Sequence, residues 1–146
     1  LHVKSKAPEI SIKDEEGNLF ALSAYALKTD YILLFFWSAD CGHCAELTDK
    51  IYPWSQQTKV NEKLSIIAIS LDDTNLDIIA WEQKKKELTE WKHLHDTEGV
   101  RSKVAGDYYI LATPVMFLLD KDKKIIAQPL NLDELEKNYR KFLNNE

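Results

Sequence analysis

Cys41 and Cys44 are the only cysteines in 146 residues, and they lie two residues apart in "FFWSADCGHCAEL", residues 35 to 47. A Cys-x-x-Cys pair serves three chemistries: a staple, a metal site or a redox centre. A bridge between Cys41 and Cys44 closes so short a loop that it restricts the unfolded chain little. Two cysteines are also too few for a disulfide-dense scaffold. A metal site would draw on Cys41, His43 and Cys44, which crowd tetrahedral coordination. His93 and His95 are the further donors, and no second cysteine pair exists. No metal is therefore expected.

Redox chemistry fits the surroundings. An apolar run ends just before the pair and a helical pattern begins at it, which puts Cys41 at a helix N-terminus. Free backbone N–H groups and the macrodipole favour an anion there, and for cysteine that anion is the nucleophilic thiolate. Cys44, one turn on, can reach Cys41, so an attacked substrate disulfide could be resolved within the pair. Gly42 leaves room for a substrate chain. His43 is read as supplying positive charge or a hydrogen bond beside Cys41, the alternative being a merely exposed polar residue. Far along the chain, Thr113-Pro114 precedes the apolar "VMFLLD". Proline is tolerated at the first residue of a strand in any case, so this dipeptide alone decides nothing.

These residues need elements to hold them. "EISIKDEEGNLFAL" alternates around Glu16-Gly17-Asn18 and predicts an N-terminal hairpin, about residues 8–22. A short helical or looped piece spans Ser23 to Leu27. "YILLFFW" and "LSIIAISL" are continuous apolar runs that fit strands buried on both faces. Between them, Leu47, Ile51 and Trp54 recur at helical spacing, with Pro53 a kink or an end. Thr74 with Asp77 marks a helix start, and Leu76, Ile79, Leu88 and Trp91 are read as one buried stripe. Lys84 to Lys86 are read as a solvated face. "WKHLHD" is ambiguous between strand and loop. Residues 98–106 predict a short helix ending at Gly106. "VMFLLD" and "KKIIAQ" flank a second hairpin at Lys121-Asp122-Lys123. Asn131 caps a last helix through Leu132, Leu135, Tyr139 and Phe142, with Glu134 placed for a capping box. Strand–helix alternation followed by a hairpin implies an α/β fold, a central mixed sheet flanked by helices.

With no repeat or linker, residues 1–146 are read as one domain, its core at about 30–145. A net charge of −5, spread along the chain, disfavours nucleic acid as a partner. No run approaches the roughly 20 apolar residues that span a bilayer. The chain starts at Leu1 rather than Met, which is read as loss of an upstream segment. A signal or lipid anchor in that segment is the one expected route to a membrane.

"FFWSADCGHC" resembles the active-site strand and helix start of the thioredoxin superfamily, and "YYILATPVMFLLD" resembles its Tyr-x-Ile-x-x-Thr-Pro segment. The opening "APEISIKDEEGNLFALSAY" is similar to the N-terminal hairpin of the extracytoplasmic TlpA/ResA-like branch, which is AhpC/TSA-related and lies close to peroxiredoxins. The resemblance covers residues 7 to 145 and implies a thioredoxin-like fold with an N-terminal hairpin extension. It makes Cys41 the attacking and Cys44 the buried resolving cysteine. Trp37 becomes the tryptophan that shelters the site and meets substrate, and Thr113 and Pro114 a cis-proline loop offering backbone groups to a substrate peptide. The Gly-His dipeptide looks like that of protein disulfide isomerases.

The resemblance also implies a thiol–disulfide oxidoreductase with no cofactor beyond the Cys41–Cys44 disulfide. Its expected partners are protein disulfides and an upstream thiol/disulfide donor or acceptor, in a bacterial periplasm or envelope, with the cytoplasm as the alternative. Several positions depart from the family. Phe35 stands where thioredoxins keep a buried acid, and Leu47 where the branch often has glutamate, Glu46 being one position off. The usual helix proline five residues after the second cysteine is missing, and Asp40 precedes Cys41. These departures leave a second reading, a thioredoxin-fold binding module with a non-catalytic cysteine pair. A peroxidase is a poorer fit, since arginine occurs only at 101 and 140.

Overall fold

Tyr31–Trp37 (β3) is the strand on which everything else is registered, and all seven of its residues are buried. The computed structural model describes residues 1–144, so the expected core boundary at residue 145 lies outside the described residues. Ahead of β3 come Ser11–Lys13 (β1) and Leu19–Ala21 (β2), an antiparallel hairpin, then the short helix Leu22–Tyr25 (α1) and a 3₁₀ turn over Ala26–Lys28. The predicted turn is built by Asp14, whose Oδ1 accepts from the Glu16 and Asn18 amides, and by Gly17 at φ +83°.

After β3 follow Gly42–Ser55 (α2), Thr58–Asn61 (α3), Leu64–Ser70 (β4), Asn75–Lys85 (α4) and Lys92–His95 (β5). Lys103–Asp107 (α5), Val115–Leu119 (β6), Ile125–Ala127 (β7) and Leu132–Asn144 (α6) complete the order. The main sheet runs β5-β4-β3-β6-β7, with β3, β4 and β5 parallel and β6 and β7 antiparallel to their neighbours. Alternate residues of β3 enter separate cores. Leu33, Phe35 and Trp37 pack with Leu47, Ile51, Trp54, Leu135 and Tyr139 from α2 and α6. Ile32, Leu34 and Phe36 pack with Phe20 and Leu22 of the hairpin side and with Val104 and Tyr108. Each buried aromatic or aliphatic side chain contributes about 1.5–3 kcal/mol, so an apolar run without polar interruption is what a strand covered on both faces requires.

Register brings distant segments together. Trp37 pairs with Ser70 on parallel β4, and Phe36 with Val115 on antiparallel β6. The chain leaving β3, the chain leaving β4 and the chain entering β6 therefore meet at one end of the sheet.

The expected stripe on α4 is corrected. Leu76 and Ile79 are 80% and 57% exposed, and the residue α4 buries is Trp81, at 3%. Thr74, whose hydroxyl accepts from the Asp77 amide, sets the helical phase, and α4 stops at Lys85. Leu88 and Trp91 are buried from the segment beyond it, so no single helical period joins them to Leu76. The lysine run is not uniformly solvated either. Lys85 lies over the Trp81 ring, 4.2 Å from its centroid, and pairs with Glu82 at 3.0 Å and Glu15 at 3.1 Å. "WKHLHD" resolves as strand β5. Residues 98–106 split at Ser102, which ends a 3₁₀ turn over Gly99–Arg101 and caps α5, so Gly106 falls inside a helix. Asn131 caps α6 by accepting from the Glu134 amide, the forward half of the expected box. Among the described residues no helix is long and apolar enough to cross a membrane.

Candidate active site

Cys41 is the N-cap of α2, its backbone extended at φ −90° and ψ 110°, and its Sγ accepts from the Cys44 amide at 3.2 Å. The residue that ends β3's loop and opens a 14-residue helix thus places its sulfur against free amide groups. Cys41 and Cys44 are joined as a disulfide with their Cα atoms 5.1 Å apart. Cys44 has no exposed surface, because its helical position faces the core with Leu47 and Ile51, whereas Cys41 is half-buried. One sulfur is approachable and the other sheltered.

The β6 register delivers Thr113 and Pro114. The Thr113 carbonyl oxygen lies 3.6 Å from Cys41 Sγ, and the Thr113 hydroxyl donates to Ser38 Oγ at 3.4 Å. The Thr113–Pro114 peptide is cis. A groove of about 280 Å³ runs beside the pair, lined by His43, Leu47, Pro114, Met116, Pro129 and Leu130. Leu130 is 68% exposed. Gly42 opens to solvent, where a Cβ would meet nothing within 4 Å. Cys41, Cys44, Gly42, Thr113 and Pro114 are thus brought to one place.

The expected substrate contact of Trp37 is corrected. Trp37 is only 1% exposed and stacks on Phe35, ring centroids 6.1 Å apart. At the end of a strand buried on both faces it underlies the site and offers a substrate no surface. The contact shown for the His43 imidazole is with a carboxylate rather than with the sulfur. The ring turns along the helix to Glu46, Nδ1 to Oε2 3.6 Å, and both side chains are largely exposed. Glu46, off the family position, is therefore occupied on the surface. Beneath the disulfide, Phe35 and Leu47 are both buried and apolar, so neither position offers a proton acceptor. His93 Nε2 donates to the Leu88 carbonyl at 2.7 Å, and the His95 ring stacks on Trp81 while its Nε2 donates to the Asp72 carbonyl at 2.7 Å. Neither histidine is oriented by the cysteines.

A residue not singled out from sequence is tied to the loop that leads to Cys41. Asp72, 2% exposed, follows β4 and accepts the Ala39 amide on both oxygens, at 3.0 and 3.1 Å, and the Ser70 hydroxyl on Oδ2 at 2.6 Å. Burial pushes its carboxyl above the ordinary range. Bonds from Ser70 and Ala39 pull the other way, and the charges of Asp77 and Asp40 add to the rise. The available signal was a carboxylate directly after the apolar run "LSIIAISL".

The model of the AhpC/TSA family matches residues 3–128. "Thiol-disulfide oxidoreductase ResA" of Bacillus thuringiensis (strain Al Hakam) is 26% identical over 140 residues, covering 88% of this chain and 69% of that protein. A solved thiol-disulfide oxidoreductase from Bacteroides fragilis superposes with a TM-score of 0.80 at 29% identity, covering 94% of this chain and 99% of the other. The thioredoxin domain of a thiol-disulfide oxidoreductase from Bacteroides vulgatus superposes with a TM-score of 0.79 at 29% identity, over 99% of each chain. The architecture, a mixed five-stranded sheet between helices with an added N-terminal hairpin, is thioredoxin-like.

Proposed function

The chain belongs to the AhpC/TSA family, and from that premise we propose that it exchanges disulfides with protein substrates as a thiol–disulfide oxidoreductase, through Cys41 and Cys44. The observation that carries this reading is the asymmetry of the pair: an approachable sulfur on a helix N-terminus, bonded to a fully buried one. The names of the relatives above agree with it.

In the dithiol form, the Cys41 thiolate attacks one sulfur of a substrate disulfide. A Cys41–substrate S–S bond forms, the substrate S–S bond breaks, and the leaving thiolate takes a proton. Cys44 then gives up its proton and attacks the Cys41 sulfur. The Cys41–Cys44 bond forms, the second substrate thiolate leaves, and two electrons have passed to the substrate. Amides at the start of α2 stabilise the charge on Cys41. Thr113 and Pro114 border the place where an extended substrate would lie, and Gly42 leaves its approach open. The pair itself is the redox group, with no added cofactor. The partners are protein thiols and disulfides together with a donor or acceptor that resets the pair, in an extracytoplasmic compartment.

The test is reduction of insulin disulfides. Cys41→Ser abolishes it, and Cys44→Ser accumulates a mixed disulfide through Cys41. The midpoint potential gives the direction of flow, near roughly −270 mV for a reductant and near roughly −180 mV for an isomerase or oxidant. The apolar pair Phe35 and Leu47 favours the second reading, a binding module, and wild-type protein inert toward insulin would count for it against exchange.

A further inference from the structure

The segment Ser38–Asp40 links β3 to Cys41, and two attachments hold it. Within the loop, the Cys41 amide donates to the Ser38 carbonyl at 3.3 Å. From outside, the Asp72 carboxylate takes the Ala39 amide on both oxygens. Asp72 is in turn fixed on three sides. Ser70 Oγ donates to its carboxylate and accepts from its amide at 3.2 Å, and His95 Nε2 donates to its carbonyl. A carboxylate at 2% exposure costs free energy unless bonded, so its aim at Ala39 is tightly set.

We propose that Asp72 is a positioning residue for the redox pair: it clamps the Ala39 amide and so sets where the Cys41 sulfur sits. The proposal rests on the thiol–disulfide reading above. The charged and titratable groups around the clamp are Asp40 on the same loop, Asp77 on α4, His95 on β5 and Cys41 itself. Carboxylate oxygens of Asp40, Asp72 and Asp77 all lie within 4.8 Å of one another. Reduction adds a thiolate two residues from Ala39. That negative charge favours protonation of Asp72, and by reciprocity an ionised Asp72 holds the Cys41 thiol up. The acidic surroundings thus act against the helix end, and the clamp couples loop position to proton uptake.

Three proteins test this: wild type, Asp72→Asn and Asp72→Ala. Asparagine keeps an acceptor for the Ala39 amide and a donor for Ser70 Oγ, but carries no charge. Alanine removes the clamp. In Asp72→Ala the released loop no longer holds Cys41 Sγ against the α2 amides that favour its thiolate, so alkylation of Cys41 by iodoacetamide at pH 7 falls about tenfold or more, with near-UV circular dichroism retained. Asp72→Asn restores the rate, and its pH profile for Cys41 alkylation moves to lower pH. In wild type, the Ala39 amide proton shift titrates with Asp72, with its midpoint higher in the reduced protein, and this titration vanishes in Asp72→Asn. Superimposable alkylation profiles for the three proteins overturn the proposal, as does an Ala39 shift that ignores pH. Should wild type fail to reduce insulin, the proposed function falls, while the Ala39 titration still reads the clamp.

Discussion

The Thr113 carbonyl oxygen lies 3.6 Å from the Cys41 sulfur, although 72 residues separate them in sequence. The contact exists because Val115 pairs with Phe36 across antiparallel strands, so β6 begins where β3 ends. It narrows the approach to Cys41 from one side and leaves the side at Gly42 open.

That geometry makes the two thiols unequal. After reduction, iodoacetamide modifies Cys41 at least about tenfold faster than Cys44 at pH 7, because one is approachable at a helix end and the other has no exposed surface. Peptide mapping after timed alkylation measures the ratio. Equal rates at the two positions would remove the asymmetry on which the exchange mechanism stands.

Leu47→Glu places a carboxylate where the helix faces the core at 3% exposure. Its burial costs about 1–3 kcal/mol at neutral pH and less in acid, where the group is protonated. The same acid is expected to speed resolution by Cys44, since it offers a proton acceptor that Phe35 and Leu47 do not. Urea unfolding at two pH values and the lifetime of a mixed disulfide give the two readouts.

His93 links stability to pH. Burial lowers its pKa below the ordinary 6.5, outweighing its bond to the Leu88 carbonyl and the nearby charge of Glu15, and Lys85 lowers it further. The folded state therefore favours the neutral ring. The contribution is fully present above pH 6.5 and is lost as pH falls toward the folded pKa, at about 1.4 kcal/mol per unit of depression. His93→Gln, which keeps a donor for Leu88, should flatten urea midpoints between pH 6.5 and 5. An unchanged slope in this variant would assign the pH dependence to other groups.

Lys85 fastens the N-terminal hairpin to α4. Burial alone would lower its pKa, but the bonds to Glu82 and Glu15 prevail and raise it above 10.5. Its contribution is present below pH 10.5 and is lost as pH rises through the higher folded value. Lys85→Met keeps the stem over Trp81 and should cost about 1 kcal/mol, less at high salt. A midpoint that matches wild type at low salt would show the pairing to be neutral.

Gly99→Ala acts on the site from behind. Gly99 has φ +60°, and a Cβ there would meet the Leu71 carbonyl oxygen at 2.8 Å and Asp73 Oδ2 at 3.0 Å. The left-handed backbone and the displaced Leu71–Asp73 bend together cost about 2 kcal/mol or more. Because Asp72 sits in that segment, Cys41 alkylation should slow along with the loss of stability, while Gly106→Ala, inside α5 with open space at its Cβ, should leave alkylation unchanged and add about 0.5–1 kcal/mol of stability.

Much of this was legible in sequence because the signals were local. Seven apolar residues in a row declare β3, Gly17 and Lys121-Asp122-Lys123 declare the hairpins, and Asn131 declares the start of α6. The cysteine pair announced its own helix end. What was missed depends on long-range geometry or on side-chain direction. Leu76 and Ile79 look like core, yet the cap at Thr74 turns them to solvent and Trp81 inward. His43 stands beside Cys41 in sequence, but its ring finds Glu46 instead. Asp72 reaches Ala39 only because β4 lies parallel to β3 in a register that pairs Trp37 with Ser70, and nothing in the residues near 72 encodes that partner.

Since successive residues of β3 feed opposite cores, the strand contains no spare position. One residue inserted between Tyr31 and Trp37 would send each strand residue beyond it into the opposite core. It would also slide the sulfur one step along its neighbours and out of line with Thr113. A frame error in this strand cannot damage the scaffold and spare the chemistry, for the same seven side chains keep the ruler for both.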